Sequence, residues 1–372
     1  MGFHIVKRDN CPFWKRCCFY AGAVLIALVL GALLLFSMGV NPFSYYGRMF
    51  TLGTVGNRIA YKVYINYLKD FVPLALVSIA LSLAFKMRFW NIGGEGQFIL
   101  GAVSAAFVAF KLGPVLPNGL TLLAMCLAAM LAAGLYGLLV AALKVRFGTN
   151  ETLMTLMLNY VALYGLYFLS ETKSDWNFFL DPGSLRPVFA SFSDLASFPS
   201  IPMGGKFSLN VCVILTFVIG ALMFIYLKYT KHGYEISVVG DSAGTARYAG
   251  MKVNSVVLRT VFLSASLIGL AAAFKVGTAG ILSTAITDDV GWTGIIVAWL
   301  SQLNTAVIFV VSALICVLHY GSTVAAATFS QVDSSFANML QGVILFLVLA
   351  ADFYTRFRIV PVKKGGKDNA NG

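Results

Sequence analysis

Long apolar runs separated by short polar stretches account for most of this chain. Runs of spanning length fall at about 19–38, 71–85, 98–112, 119–143, 152–169, 210–227, 256–275 and 336–353. Crossing the hydrocarbon core takes about 20 apolar residues in a helix, so each run predicts a membrane span. Two further runs, 292–303 and 306–319, are shorter and are separated by Gln302 and Asn304. They predict a broken or re-entrant helix pair, an irregularity that a membrane protein tolerates when it is buried in protein. The pattern as a whole predicts an all-α polytopic membrane protein, a bundle of about eight to ten transmembrane helices with broken or re-entrant segments.

Charge orients the spans. Lys7, Arg8, Lys15 and Arg16 precede the first run, and Lys86 with Arg88, Lys144 with Arg146, and Lys228 with Lys231 fall at alternate ends of later ones. Basic residues beside spans mark cytoplasmic loops. The expected layout is a cytoplasmic N-terminal tail at 1–18, a transmembrane domain over 19–355 and a cytoplasmic C-terminal tail at 356–372. Residues 170–209, rich in proline, serine and aromatics, form an external loop, and 228–255 form a cytoplasmic one. An odd number of crossings must then follow Val276. Residues 43–70 break the pattern, being expected outside yet holding Arg48, Arg58, Lys62 and Lys69. They read either as an in-plane amphipathic helix with snorkelling side chains or as a miscounted span.

Composition agrees, with 59% hydrophobic and 11% charged residues, and the net charge of +12 comes from basic residues beside spans. No basic patch is interleaved with exposed aromatics, so nucleic acid is not an expected partner; membrane lipid is. The six cysteines form no framework and read as reduced. No metalloprotease, nucleophile-elbow or phosphate-loop motif occurs. The chain is expected not to be an enzyme and to bind no cofactor or metal, and if transport consumes ATP another chain must hydrolyse it.

Four stretches carry polar chemistry. In Trp90-Asn91-Ile92-Gly93-Gly94-Glu95-Gly96-Gln97, a carboxylate and two amides interrupt apolar sequence. A carboxylate within a membrane costs on the order of 3 kcal/mol even on a lenient scale, so Glu95 either supports the helix start or lines a wet path, and Trp90, Asn91 and Gln97 are candidates with it. In the second stretch, Thr149 or Asn150 fits an N-cap, while Thr155 and Asn159, four apart, share a helix face. The third runs through Gly240, Asp241, Ser242, Ala246, Arg247, Tyr248 and Gly250. There Asp241 or Ser242 can cap a short helix that Gly250 ends, either a solvated connector or a docking knob for a soluble partner. In the fourth, Trp292 and Trp299 share a face and precede Asn304; Trp292 can stack on a planar ligand or anchor at the interface.

Taken in this order, the four stretches resemble those of the integral-membrane permeases of bacterial ATP-binding-cassette importers of the branched-chain amino acid and sugar type, in particular the nucleoside and simple-sugar branch. The likeness covers most of residues 70–320. This chain has Trp90 where phenylalanine is usual, Thr245 where alanine is common, and Gln302 and Thr305 in place of arginine and proline. The resemblance implies a permease subunit in the bacterial cytoplasmic (inner) membrane, working with a cytoplasmic ATPase that uses ATP and Mg, a second homologous permease subunit and an external solute-binding lipoprotein. It further implies that 240–251 hold a coupling helix for the ATPase, and that Trp90, Asn91, Glu95, Gln97, Thr155, Asn159, Trp292 and Asn304 belong to the substrate pathway. A nucleoside-like solute is expected, with riboflavin or a simple sugar as rivals. The alternative class is an ion-coupled secondary transporter or channel using Glu95.

Overall fold

A computed structural model describes residues 3–7, 12–55, 60–204, 206–329, 331–333 and 335–361. Arg58, Arg8 and the lysines of the C-terminal tail, used above for orientation, lie outside the described residues. In chain order the elements are β1 (Phe3–Lys7), α1 (Phe13–Ser37), α2 (Pro42–Phe50), α3 (Ala60–Lys86), α4 (Gly94–Leu112), α5 (Asn118–Phe147) and α6 (Glu151–Glu171). Then follow β2 (Ser200–Gly204), β3 (Phe207–Asn210), α7 (Val211–Tyr229), α8 (Lys231–Asp241), α9 (Ala243–Tyr248), α10 (Val253–Ala279), α11 (Val290–Leu300), α12 (Thr305–Ala326), α13 (Ser335–Arg356) and β4 (Phe357–Pro361).

Among the described residues nine helices are long and apolar enough to cross a membrane; α11 is not. β1 pairs antiparallel with β4, Phe3 opposite Pro361 and Lys7 opposite Phe357. Residues 281–289, mostly turns and bends, lead into the short α11. This corrects the expected broken pair: α11 is short, but α12 is a full 22-residue helix that continues past His319. Residues 43–70 also divide differently from expectation. Only Pro42–Phe50 forms a separate short helix, while 60–70 begin the 27-residue α3, which runs on through Pro73.

The chain splits into two compact units, Met1–Gly53 with Leu318–Gly372, and Thr54–Val317. In the smaller unit, Tyr45 is fully buried, its hydroxyl 2.6 Å from Ser322 Oγ and its ring 5.3 Å from that of Phe336. The Tyr46 hydroxyl donates to the Leu28 carbonyl at 2.8 Å, tying α2 to α1, and burial pushes its pKa up to about 12.

The larger unit is built around α10, which packs on α3, α4 and α5. Lipid tails give apolar helices no hydrophobic reason to associate, so close backbone packing must supply the attraction. Small residues make it possible: a Cβ built on Gly101 of α4 would lie 2.7 Å from Gly269 Cα of α10, and one on Gly269 would collide with the Ala129 carbonyl of α5. Asp70 of α3 and Lys275 of α10 pair at 2.7 Å, which compensates two charges in spanning helices. Residues 172–210 pack over the ends of α4, α5 and α10. Phe179, Phe189 and Phe198 are buried there, Phe110 stacks edge-on with Phe192 at 4.9 Å, and Asn118 Nδ2 donates to the Leu195 and Ser197 carbonyls at 2.9 and 3.0 Å.

Gly269→Val should force α10 away from α5, costing at least the ~1–3 kcal/mol of an overpacked core. Its signature is loss of the monodisperse peak on size-exclusion chromatography in mild detergent, whereas Gly22→Val, a glycine with nothing within 4 Å of its added Cβ, should elute as wild type.

Candidate functional site

Between α3 and α4 the backbone leaves helical geometry over 87–93 and then re-enters as α4. Its N–H and C=O groups need partners, since each left bare in an apolar interior costs about 1–3 kcal/mol. The polar residues of the first two stretches supply them. Asn91 Oδ1 accepts from Gly93 N and from Gln97 Nε2 at 3.1 Å, and Asn91 Nδ2 donates to Gln97 Oε1 at 3.1 Å. From α6, Asn159 Oδ1 accepts from Gly96 N at 2.8 Å, Asn159 Nδ2 donates to the Ile92 carbonyl at 2.9 Å, and Thr155 Oγ1 accepts from Ile92 N at 3.2 Å. Asn150 rather than Thr149 caps α6, accepting from Thr152 N and Leu153 N, and Glu151 in its first turn pairs with Lys144 of α5.

Glu95 stands in the first turn of α4 and is buried. Its Oε2 accepts from Gly291 N at 2.8 Å, and Thr287 hydrogen-bonds the same carboxyl. A side chain at 291 would collide with the Glu95 backbone, so glycine is what lets α11 start here. Asn91, Thr155 and Asn159 thus bond the interrupted backbone, and Gln97 braces the Asn91 side chain.

The aromatic candidates separate. Trp90 stacks on Trp299, centroids 5.3 Å apart and planes 18° from parallel, with Phe85 against both, and the two indoles remain 47% and 36% exposed. Trp292, 38% exposed, belongs to the same short helix as Trp299. Asn304 is not part of the cluster: it is exposed and caps α12, its Oδ1 accepting from Ala306 N at 3.0 Å.

An adjacent acidic pair precedes α11. Asp288 and Asp289 are exposed and left-handed, with φ of 48° and 54°, immediately before α11. Gly294 of that helix packs on Val77 and Ser78 of α3, and the two carboxylates lie near Glu95.

The predicted knob is two helices. Asp241 ends α8, and Ser242, not Asp241, caps α9, its Oγ accepting from Thr245 N at 3.2 Å. At the far end Met251 N donates to the Ala246 carbonyl and Gly250 N to the Arg247 carbonyl, with Gly250 at φ 76°, a pairing that closes a helix on a left-handed glycine. Ala246 is fully buried in an apolar cluster with Met87, Phe89, Ile236 and Val239, while Arg247 is exposed and Tyr248 is 96% exposed. Gly240 faces inward against the Lys86 carbonyl. The helix thus offers a small buried face and a projecting basic and aromatic one.

Residues 63–349 match the family described as branched-chain amino acid transport system, permease component. The guanosine ABC transporter permease protein NupP of Bacillus subtilis is 30% identical over 362 residues, covering 92% of this chain and 96% of that protein. The glucose ABC transporter permease protein TsgB13 of Haloferax volcanii is 27% identical, covering 95% and 92%. The nucleoside ABC transporter permease protein NupB of Lactococcus lactis is 25% identical, covering 81% and 82%.

Asn159→Leu should strand the Gly96 N–H and the Ile92 carbonyl, a loss of about 1–3 kcal/mol for each, read as a lowered unfolding temperature of the purified chain. Glu95→Ala should strand the Gly291 N–H likewise, whereas Glu95→Gln keeps an acceptor and should fold normally; any uptake defect of that variant would then report the charge rather than the fold. In α8, the Arg259 guanidinium holds the Glu235 carboxyl below the usual carboxylate range. A depressed folded-state pKa stabilises above the unfolded value and is lost as pH falls through the folded one. Amide exchange in α8, corrected for intrinsic rate, should therefore accelerate as pH falls from neutrality through and below the carboxylate range, and Glu235→Gln should remove that dependence.

Proposed function

The chain belongs to the family of permease components of branched-chain amino acid transport systems, and from that premise we propose that its cargo is a nucleoside. It is the membrane-spanning permease of an ATP-driven importer, a multi-pass membrane protein and a transport component rather than an enzyme. Importers of this family combine such permeases with an ATPase and a substrate-binding partner.

The observation that carries the reading is a set of exposed acidic and aromatic side chains at and just before α11, Asp288, Asp289 and Trp292, with the Trp90–Trp299 stack. Carboxylates accept from ribose hydroxyls and base N–H groups, and indole faces stack on planar bases. In this reading Trp90, Trp292, Asp288 and Asp289 line the path, Glu95 positions α11 beside it, and Asn91, Gln97, Thr155, Asn159 and Asn304 hold the elements that form it. Two relatives are named for guanosine or nucleosides, which agrees with such a solute. The relative named for glucose supports a second reading, a simple sugar, for which the carboxylates suffice and the stacking surfaces do not matter.

The proposed assembly pairs this chain with a second, homologous permease across the acidic surface. An external binding lipoprotein delivers the solute, and ATP and Mg are used by the ATPase subunits alone. The membrane is the bacterial inner membrane, with both chain ends cytoplasmic. In the same reading α9 seats in the ATPase, presenting Arg247 and Tyr248 with Gly240, Asp241, Ala246 and Gly250 shaping its approach, so that closure of the ATPase pair shifts the permease between outward and inward access.

A strain lacking this chain should lose uptake of labelled guanosine or adenosine while glucose uptake stays unchanged; loss of glucose uptake alone would favour the sugar reading. Arg247→Glu with Tyr248→Ala should reduce uptake by about tenfold or more, the scale of a lost coupling, with normal amounts of folded chain in the membrane. Because both side chains are exposed, the loss would report docking, which a bulky change at fully buried Ala246 would not.

A further inference from the structure

The contacts of α8 extend beyond what seating α9 requires. Glu235 Oε2 accepts from Arg259 Nη2 of α10 at 2.8 Å, with His232 Nδ1 3.5 Å from the same oxygen, and the Tyr226 side chain at the end of α7 hydrogen-bonds Arg259. Five residues later, on another face of the same helix, Gly240 lies so close to the Lys86 carbonyl that a methyl group there would collide with it. Thus α8 is gripped by α10 on one side and by the last turn of α3 on the other. Only Ser242 separates it from α9, and that residue caps α9. Ala246 of α9 shares one apolar cluster with Met87 and Phe89, the first residues of the interrupted backbone, and with Val256 and Val261 of α10.

An ion pair this accessible, with side chains 15% and 37% exposed, adds little to stability. Its geometry, bridging two elements 24 residues apart across a cytoplasmic-loop helix, matters more for position. We propose that the Glu235–Arg259 pair is a transmission contact. With the Gly240–Lys86 abutment it makes α8 a strut that carries displacement of α9 to the inner ends of α3 and α10, and so to the break at 87–97 and to α11 held by Glu95. Glu235 is a positioning residue in this scheme and touches neither solute nor nucleotide. The inference rests on the docking assignment of α9 and adds the route by which that docking is felt in the membrane.

The test uses the complex purified with its ATPase in nanodiscs, and reads maleimide labelling of Ala285→Cys, an exposed position ahead of α11, by peptide mass spectrometry. This readout is independent of which solute is carried. The labelling rate should differ between the nucleotide-free and the ATP–vanadate-trapped states by about tenfold, within the usual range of coupling between sites. Glu235→Gln should collapse that difference to less than about twofold while the ATPase still co-purifies and traps nucleotide, and the exchange Glu235→Arg with Arg259→Glu should restore it. An undiminished response in Glu235→Gln, or loss of the ATPase from that variant, would overturn the linkage alone. A parent chain that fails to retain the ATPase, or retains it and shows no nucleotide response, would overturn the docking assignment and the linkage with it.

Discussion

Backbone hydrogen-bonding groups cannot be left bare inside a membrane, and the arrangement of the larger unit depends on how this chain meets that constraint where its helices stop. Backbone groups around the break at 87–93 are met by Asn91, Thr155 and Asn159, and Gln97 holds the Asn91 side chain in place. The start of α11 is satisfied by the Glu95 carboxylate, which reaches across 196 residues of sequence to the Gly291 N–H. These bonds bring α4, α6 and α11 to one point. They also give the polar residues of these stretches partners within an apolar chain.

Once the interrupted segments are held, the division of labour within the unit follows from packing. The contacts of α4, α5 and α10 pass through glycine and alanine with backbone against backbone, an arrangement that resists change because interiors packed this closely have no slack. Helices α8 and α9 are short and joined by one residue, and they meet α3, α7 and α10 through the Glu235–Arg259 ion pair, the close approaches of Gly233 and Gly240 and an apolar cluster. Elements with few contacts are the ones able to move as bodies, and here they adjoin the backbone break directly through Met87 and Phe89. A half-helix, α11, follows on the other side of Glu95. The exposed face of α9, helix α8, the break and the half-helix are therefore contiguous in space, though they come from residues 85–97, 231–259 and 287–300 of the sequence.

Sequence alone determined a good deal. The apolar runs identify the long helices, because burying a helix in lipid demands a length that little else in a protein requires. The caps were narrowed to Thr149 or Asn150 and to Asp241 or Ser242, because cap chemistry is local. The four polar stretches and their order were enough to reveal the resemblance that the comparisons with known proteins support. What stayed hidden was set by neighbours distant in the chain. Residues 60–70 read as a separate basic segment because Pro73 and the exposed lysines disguise a helix whose inner half alone is apolar. The polar end of α12 stays helical because the Ser322 hydroxyl meets the buried Tyr45.

The same division governs the site. Residue type showed that Glu95, Asn91, Gln97, Thr155 and Asn159 must have partners in a membrane, but not whether those partners are a solute or the protein's own backbone. That choice depends on which groups α6 and α11 bring within 3 Å, and only the tertiary structure makes it. Asp288 and Asp289 show the converse, an ordinary acidic turn in sequence that the fold brings near Glu95. Sequence specifies what chemistry each position holds and which stretches must leave water, because both follow from residue type and its local pattern. Which polar groups satisfy one another and which remain free to meet a ligand is decided by long-range packing, because hydrogen bonds form between neighbours in space.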